Sequence, residues 1–253
     1  MVEQRQNNSP RGPPRFNGPN RNGPRQGGNR QGGNRRDNRG GRRFEEPKVV
    51  EEWFPKTELG RKVHSGQISN IDEILFSGQK ILEYQIIDKL VPDLSDDLIK
   101  LSTTQRSTGS GRKVKFRAVV VVGDGRGHVG IGSGKSDEAR PAIENAIRNA
   151  KRHLIHVPSG CGSWECGCGT KHSLPVKVIG KSGSVEVTLK SAPRGVGIVG
   201  NAIVRKVLDK AGIKDVWSFS RGNTKTKHNT AMAVYNALKT LTNMQSKRDW
   251  TEE

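Results

Sequence analysis

The sequence predicts an α+β protein preceded by a disordered basic arm. Strand-like alternation and helix-like spacing of apolar residues occupy separate blocks along the chain. The first 43 residues contain 11 arginines, no lysine and two acidic residues, a net charge of +9. The whole chain of 253 residues carries a net charge of +19, and only 31% of it is hydrophobic. Such a charge selects polyanionic partners and does not specify a fold.

The predicted disordered arm spans residues 1–48. It has too little apolar surface to offset the entropy lost on ordering. Guanidinium groups make planar, bidentate phosphate contacts, which favours a polyanion-binding arm over a merely solubilising tail. The opening MVEQRQNNSP lacks the apolar core of a secretory signal. The longest aliphatic run, Ala118–Val122, is too short to span a membrane, so we expect no membrane partner.

A helical extension is predicted for residues 49–101. Ile71, Ile74 and Leu75 have the spacing of one helical face. Asn70 precedes them and belongs to a residue type favoured at helix N-caps. A second group with helical spacing consists of Ile81, Leu82, Ile86 and Leu90.

Residues 102–157 are predicted to form a first α+β domain, with a strand at 112–122. In RKVKFRAVVVV, basic and apolar residues alternate, so one face is predicted to be basic and the other apolar. A helix follows, with its N-cap at Ser136 or its first turn marked by Pro141. Its predicted apolar face consists of Ile143, Ala146, Ile147, Ala150 and Leu154.

The glycine-rich stretch at 119–136, VVVVGDGRGHVGIGSGKS, contains the pattern G-x-G-x-x-G at Gly125, Gly127 and Gly130. A dinucleotide site needs strand, turn and helix, whereas Gly130 lies in the strand-like HVGIG. GSGKS also lacks the first glycine of a phosphate-binding loop, because Val129 stands at that position. We therefore predict no nucleotide site. GDGRG is predicted to be a hairpin turn with positive φ, and GSGKS a loop between strand and helix.

A second α+β domain is predicted for residues 174–253. Two strands joined by a GKSG turn place Val185, Val187 and Leu189 on one face. The bend APRGVGIVG leads to a helix that ends at Gly212. The strand DVWSFS, the basic loop RGNTKTKHN and a last helix at 230–242 complete the domain.

A Cys-rich linker is predicted between the domains, at residues 158–173. Three thiolates and an imidazole suit a tetrahedral, structural zinc site with no open position. The spacing C-x₄-C-x-C-x₃-H is not that of the common zinc knuckle, and His153 or His156 could replace His172. The alternative is three reduced thiols in a glycine-rich linker. The candidate zinc ligands are Cys161, Cys166, Cys168 and His172.

Three stretches resemble one known family. GRKVKFRAVVVVGDGRGHVGIG, residues 111–132, resembles the signature of the universal family of small-subunit ribosomal protein five, called protein two in eukaryotes. APRGVGIVGNAIVRKVLDKAGIKDVW, residues 192–217, is similar to that family's second domain. WFPKTELGRKV, residues 53–63, resembles an extension of archaeal and eukaryotic members. The cysteine cluster resembles archaeal members, which indicates an archaeal-type protein.

The resemblance implies a fold and a cellular place. The first domain is expected to be double-stranded-RNA-binding-like, with a three-stranded sheet and a helix, and the second to contain a left-handed crossover. The family lies in the cytoplasmic small ribosomal subunit near the decoding centre, beside the channel through which messenger RNA enters. It supports translational accuracy. The implied partners are small-subunit rRNA, messenger RNA and small-subunit ribosomal proteins three, four and eight.

The family's rRNA-contacting hairpin tip corresponds to Thr108–Lys115. Glycines let the backbone approach phosphates and cations neutralise them, although a solvated turn is the alternative interpretation. Few aromatic residues accompany the charges, so we expect recognition of folded RNA and not base stacking. The predicted RNA-binding residues are Gly109, Gly111, Arg112, Lys113, Lys115, Arg194, Arg221, Lys225 and Lys227.

The sequence thus predicts a structural, non-enzymatic, rRNA-binding component of the small ribosomal subunit. A zinc hydrolase would need an acid–base pair beside the metal, and a dinucleotide oxidoreductase would need the strand–turn–helix fingerprint. The sequence contains neither pattern. A free-standing regulator that binds double-stranded RNA is the alternative function.

Overall fold

The computed structural model describes residues 53–244, and the predicted arm lies outside them. The helices span Glu58–His64 (α1), Ile71–Phe76 (α2), Gln85–Leu90 (α3), Ala139–Arg152 (α4), Ala202–Lys210 (α5) and Lys227–Thr242 (α6). The strands span Ser95–Thr108 (β1), Gly111–Gly123 (β2), His128–Ser136 (β3), Leu154–His156 (β4), Val178–Ser182 (β5), Val185–Ser191 (β6), Ile198–Val199 (β7) and Val216–Arg221 (β8). None of these helices has the length and hydropathy of a membrane span.

The extension contains three short helices, α1 to α3, around a small apolar core. Asn70 is the N-cap residue of α2, but its side chain makes no capping hydrogen bond. Ile81 is buried before α3 begins, whereas Leu82 is exposed, so the helical spacing assigned to residues 81–90 is wrong at its start. The prediction of a helical extension up to residue 101 is also wrong. Residues from Ser95 onward form β1, because they pair along their length with β2.

The first sheet is antiparallel with the order β1-β2-β3-β4. It contains one strand more than the three that the family resemblance implied, because β4 pairs with the beginning of β3. Strand β2 is buried on both faces at its inner end. Ala118, Val120 and Val122 pack beneath α4, and Val119 and Val121 join a core shared with the second sheet. Because neither face of β2 meets water at this end, a continuous run of apolar residues is compatible with the strand.

The GSGKS segment is part of strand β3, and its prediction as a loop is wrong. A Cβ added to Gly130, Gly132 or Gly134 would lie 2.3 to 2.4 Å from a carbonyl oxygen of α4. These glycines let the helix lie directly on the strand, which is a packing role and not a turn role. The α4 residues that supply those oxygens are Ala150, Ala146 and Ala142, respectively.

The N-cap of helix α4 lies two residues after the predicted one. Its N-cap is Glu138 and not Ser136, which still pairs with β2 as the last residue of β3. The buried face consists of alanines, whereas Ile143 and Ile147 are only partly buried. Small residues are buried here because the helix backbone approaches the glycine strand so closely.

The second sheet has the order β5-β6-β8-β7, and only the β7–β8 pair is parallel. Val185, Val187 and Leu189 point into the core, as their alternation predicted. Helix α5 connects β7 to β8 and is followed by Gly212, whose φ is 76°. Helix α6 begins at Lys227, three residues before its predicted start. Lys227 therefore belongs to the first turn of a helix and not to the basic loop.

Candidate RNA-binding surface and metal-ligand clusters

The outer half of the β1–β2 hairpin, residues 103–115, is exposed on both faces. Thr108 pairs with Gly111 at the tip, and its hydroxyl donates a 2.7 Å hydrogen bond to the Gly111 carbonyl. The φ of Gly111 is 129°, a conformation that glycine adopts without strain. The predicted tip residues therefore lie on a projecting two-stranded ribbon that has no packing partner in the described part of the chain.

The strand register gives this ribbon one strongly basic face. Lys113 lies directly opposite Arg106, Lys115 lies opposite Thr104, and Arg117 follows on the same face. Like charges at directly opposite positions destabilise a free hairpin, and a bound anion relieves their repulsion. Lys115 Nζ also lies 3.3 Å from a carboxylate oxygen of Asp137.

Two points about the tip differ from the sequence interpretation. Arg112 pairs with Ser107 and lies on the face opposite Lys113 and Lys115, so the structure divides the predicted cations between two faces. Arg106 was missed, although it lies in the middle of the basic face. The sequence signal for Arg106 is weak, because its position depends on the pairing of two strands.

The base of the basic face meets the beginning of α6. Arg117 Nε and His228 Nδ1 are buried, and neither has a hydrogen-bond partner within residues 53–244. Burial and the charge of Arg117 both lower the pKa of His228. Lys227, which precedes His228, is exposed. The predicted RNA-binding residue Lys227 is therefore the first residue of α6. The second residue of that helix, His228, lies near Arg117 at the base of the hairpin.

The remaining predicted cations lie on the second domain. Arg221 ends β8 opposite Glu186 on β6, and Lys225 lies in the loop that follows. Arg194 lies in the bend between β6 and β7. All three side chains belong to exposed residues, so each can reach an external phosphate.

A groove between β3, α4 and the extension was not predicted. It has a volume of about 380 Å³ and is lined by Lys135, Arg148 and Arg152 together with two asparagines. The Arg148 guanidinium lies over the Tyr84 ring, 5.4 Å from its centroid. Arg148 and Arg152 are four residues apart on α4, which is the spacing that could have identified them from the sequence.

The four candidate zinc ligands come together in one cluster. One donor atom from each of Cys161, Cys166, Cys168 and His172 lies within 4.8 Å of the others. Cys166 Sγ is 3.8 Å from His172 Nε2. Ligand bonds of about 2.1 and 2.3 Å at tetrahedral angles separate two donors by roughly 3.6 Å, so these residues fit a zinc ion. His156, one alternative fourth ligand, belongs to another cluster with Asp72 and His128.

Buried groups of the second domain orient the histidine. Asp215 Oδ2 lies 2.9 Å from His172 Nδ1, and both side chains are buried. A carboxylate on one imidazole nitrogen directs the other toward a metal. The Cys-rich segment is also better anchored than a linker, because Cys161 is buried and Gly160 pairs with Ser173. It also contacts the second domain, because the backbone N–H groups of Lys214 and Asp215 donate hydrogen bonds to the His172 carbonyl.

The thiols are electrostatically unequal. Burial and hydrogen bonding with Cys168 raise the pKa of Cys161 to about 11. Hydrogen bonds from the Thr170 hydroxyl and backbone lower the pKa of Cys168 to about 6. Cys168 is therefore the thiol that most readily supplies a thiolate for a cation at the centre of the cluster.

Comparison with known proteins identifies both halves of the chain. The family described as ribosomal protein S5, N-terminal domain matches residues 94–158, and that described as ribosomal protein S5, C-terminal domain matches residues 180–252. Small ribosomal subunit protein uS5 of Picrophilus torridus is 53% identical over 189 residues, which are 75% of this chain and 86% of that protein. The Thermoplasma acidophilum protein of the same name is 53% identical over 191 residues, 76% of this chain and 86% of that protein. The Methanocaldococcus jannaschii protein of that name is 50% identical over 192 residues, 76% of this chain and 88% of that protein.

Proposed function

The chain belongs to the ribosomal protein S5 family, in its archaeal type, and from this premise we propose how it works as a structural, non-enzymatic constituent of the small ribosomal subunit. The relatives' names place them in the small subunit, and the same place is proposed for this chain. The proposed organisation is an arm to residue 48, an extension to 94, a double-stranded-RNA-binding-like domain to 157, a Cys-rich segment at 158–173 and a second domain with a left-handed crossover.

The proposed RNA contact of the first domain is the outer half of the β1–β2 hairpin. The observation that carries it is the row of Arg106, Lys113 and Lys115 on a strand pair that is exposed on both faces at residues 103–115, with Arg117 at its base. Cations directly opposite one another repel, so a folded protein gains little by keeping them unless phosphates lie between them. The exposed glycines at the tip, Gly109 and Gly111, let the backbone approach RNA closely.

Arg112 and the second-domain cations would extend this contact. Arg112 faces away from the basic row, so it is proposed to reach a different RNA strand or backbone turn. Arg194, Arg221, Lys225 and Lys227 are proposed as further phosphate contacts, and the groove lined by Lys135, Arg148 and Arg152 as an additional one. Most such contacts position the protein and carry no base specificity.

Charge reversal at the tip tests the RNA contact. In the full chain, Arg112→Glu with Lys113→Glu is expected to weaken binding to small-subunit rRNA fragments and incorporation into subunits. The log–log salt dependence should become shallower by roughly 1.8, because each phosphate contact contributes about 0.9. Thermal stability should not fall, since both side chains are exposed.

The matched control reverses two exposed cations elsewhere, Lys80→Glu with Lys239→Glu. This variant has the same net charge and removes only the long-range attraction. Equal loss of binding in both double variants would show that the hairpin makes no specific contact. Sedimentation of the endogenous protein distinguishes the alternative function, because a free-standing regulator of double-stranded RNA would not travel with the small subunit.

The finer cellular role follows from the family resemblance alone. It comprises a position near the decoding centre and the messenger RNA channel, contacts with ribosomal proteins three, four and eight, a cytoplasmic location and a contribution to translational accuracy. Decoding assays on subunits that carry the tip variant would test this role. Normal accuracy with normal incorporation would contradict it.

A structural zinc ion in the Cys-rich segment is proposed from geometry. The names of the matching family and relatives mention no metal. Cys161, Cys166, Cys168 and His172 provide four protein ligands, and Asp215 orients the imidazole. When bound, zinc would cross-link the segment, and its binding free energy would stabilise the folded state. With four protein ligands it would leave no position for a substrate.

Cys166→Ser tests the zinc proposal, with Ser163→Ala as a matched control in the same loop. The cysteine variant is expected to contain one equivalent of zinc less than the control. Chelation of the wild-type protein should expose residues 158–173 to protease while both flanking domains remain folded. If all three thiols react freely in the native, freshly purified protein, the zinc proposal is overturned. The segment then contains three reduced cysteines without a metal.

A further inference from the structure

A second cluster of metal-ligand atoms lies between the extension and the first sheet, away from the cysteines. His128 Nε2 is 2.9 Å from Asp72 Oδ1, and His156 Nδ1 is 3.2 Å from the same oxygen. The two imidazole nitrogens are 3.4 Å apart. Three atoms with lone pairs therefore form a triangle with sides between 2.9 and 3.4 Å.

The fold brings these residues together from distant parts of the sequence. His128 and His156 are paired residues of β3 and β4, so their side chains emerge on the same face of the sheet. Asp72 lies in the first turn of α2, and that helix approaches the edge strand β4. Because the three residues span 85 positions of the chain, no short sequence motif marks them.

Asp124 fixes the orientation of the central histidine. Its Oδ2 lies 2.6 Å from His128 Nδ1, and its Oδ1 accepts hydrogen bonds from the backbone N–H groups of Arg126 and His128. A carboxylate on Nδ1 holds the proton at that nitrogen. The lone pair of His128 Nε2 is then directed at Asp72 Oδ1 and His156 Nδ1. When neither His128 Nε2 nor His156 Nδ1 carries a proton, three acceptors at these distances repel one another, and a metal ion or a proton among them relieves the repulsion.

We propose that His128 Nε2, His156 Nδ1 and Asp72 Oδ1 bind a divalent transition-metal ion of the zinc class. Metal–ligand bonds of about 2.0–2.1 Å at tetrahedral angles place ligand atoms roughly 3.3 Å apart, close to the sides of the triangle. Two imidazoles and one carboxylate favour zinc, nickel or copper over magnesium and calcium. Water completes the coordination, since the side chains of Asp72 and His156 are 43% and 27% exposed.

The ion fastens the extension to the RNA-binding sheet. Its ligands join α2 on one side to β3 and β4 on the other, next to the turn that Asp124 organises. Asp88 and Lys151 form another polar link between extension and sheet domain. Lys151 lies in the last turn of α4, and the proposed ion adds a rigid cross-link just beyond it, where the chain continues into β4.

Cobalt and zinc binding to the full chain test the proposal. In a background that carries Cys161→Ser, Cys166→Ser and Cys168→Ser, added Co²⁺ is expected to give visible bands without thiolate charge-transfer absorption, which separates this site from the cysteine cluster. Asp72→Asn and His156→Gln should each weaken Co²⁺ binding at least tenfold. Asp124→Asn should weaken it about 10- to 100-fold through the orientation of His128. Zinc should protect residues 53–94 from protease, and Asp72→Asn should abolish the protection.

Asp88→Asn is the matched control, because it removes another polar link between extension and sheet domain and leaves the triangle intact. It is expected to bind Co²⁺ like the parent. Undiminished binding by Asp72→Asn would overturn the proposal. NMR gives a second test. If zinc does not perturb the histidine signals and His128 is doubly protonated, a proton and not a metal ion lies between the three atoms, and the proposal is overturned. Neither outcome depends on the hairpin or on the cysteine cluster.

Discussion

The two halves of the β1–β2 hairpin share strands and register but obey different physical demands. At the base, Ala118–Val122 are buried on both faces of β2. At the tip, residues 103–115 are exposed on both faces and carry the basic row. The base contributes to folding and accepts almost no change in volume. The tip contributes little to folding, so its sequence is free to serve a binding partner.

Within 20 residues of one strand pair, the residues that stabilise the fold and the residues proposed to bind RNA are therefore separate. Substitutions at the base should change the free energy of unfolding, and substitutions at the tip should change RNA binding. Arg117 lies at the boundary, because its side chain belongs to the basic row while its Nε is buried. The following substitutions test how sharp this boundary is.

The largest effect is expected for a single methyl group on Gly132. In Gly132→Ala the new Cβ would lie 2.3 Å from Ala146 O and Ala150 N, so α4 must move away from the sheet. We expect a loss of about 3 kcal/mol or more in the free energy of unfolding. At the tip, Gly109→Ala meets no atom within 4 Å and should change stability by less than about 0.5 kcal/mol. Denaturant unfolding of both variants measures the difference, and equal stabilities would refute close packing of α4 on β3.

An intermediate effect is expected for valines on β2. Val120 is 0% exposed and Val114 is 41% exposed. Val120→Ala should cost about 2 kcal/mol because it leaves a cavity beneath α4. Val114→Ala should cost less than about 0.5 kcal/mol. Thermal unfolding of the two variants makes the comparison. A similar cost at both positions would mean that the tip packs against a part of the chain outside residues 53–244.

The smallest effect is expected at the boundary and depends on pH. Burial and Arg117 both lower the pKa of His228 in the folded protein, so the unfolded chain binds the proton more strongly. The neutral histidine thus contributes stability above the unfolded-state pKa, and this is lost as pH falls through the folded-state pKa. Arg117→Gln removes one of the two causes and should raise the pKa of His228. NMR titration, with His228→Gln to assign the signal, measures the change. An unchanged pKa would place Arg117 too far away to act.

Local patterns predicted much of the fold. Alternation identified β2, β6 and the buried set at Val185, Val187 and Leu189, because one buried face imposes a period of two. The same alternation predicted the basic face of the outer part of β2 but not its inner end, where Ala118–Val122 are buried on both faces. GDGRG was correctly predicted as a turn with positive φ, and Gly125 and Gly127 have φ angles of 72° and 115°. Three stretches that resemble the family sufficed to identify it, as the comparisons show.

The errors share one cause, which is contact with a distant part of the chain. GSGKS resembles a loop because glycine is rare in strands, yet an alanine-faced helix packs on it. Residues 95–101 fit a helical extension until β2 supplies a pairing partner. No local sequence pattern marked Arg106 as part of the basic face. His156 was considered only as an alternative zinc ligand beside the three cysteines. Each depends on a neighbour 7 to 84 positions away, as in the pairing of Arg106 with Lys113 or the contact of Asp72 with His156.

The sequence by itself determined the family, the excess of positive charge, the alternating strands and the close spacing of three cysteines and a histidine. These properties are local or additive, so they are present in the unfolded chain as well. Only the tertiary structure decided which cations share a face, which glycines face a helix, and that Asp72, His128 and His156 meet. Those arrangements require strand register and helix packing, which become defined only when the distant segments bury their apolar surface together.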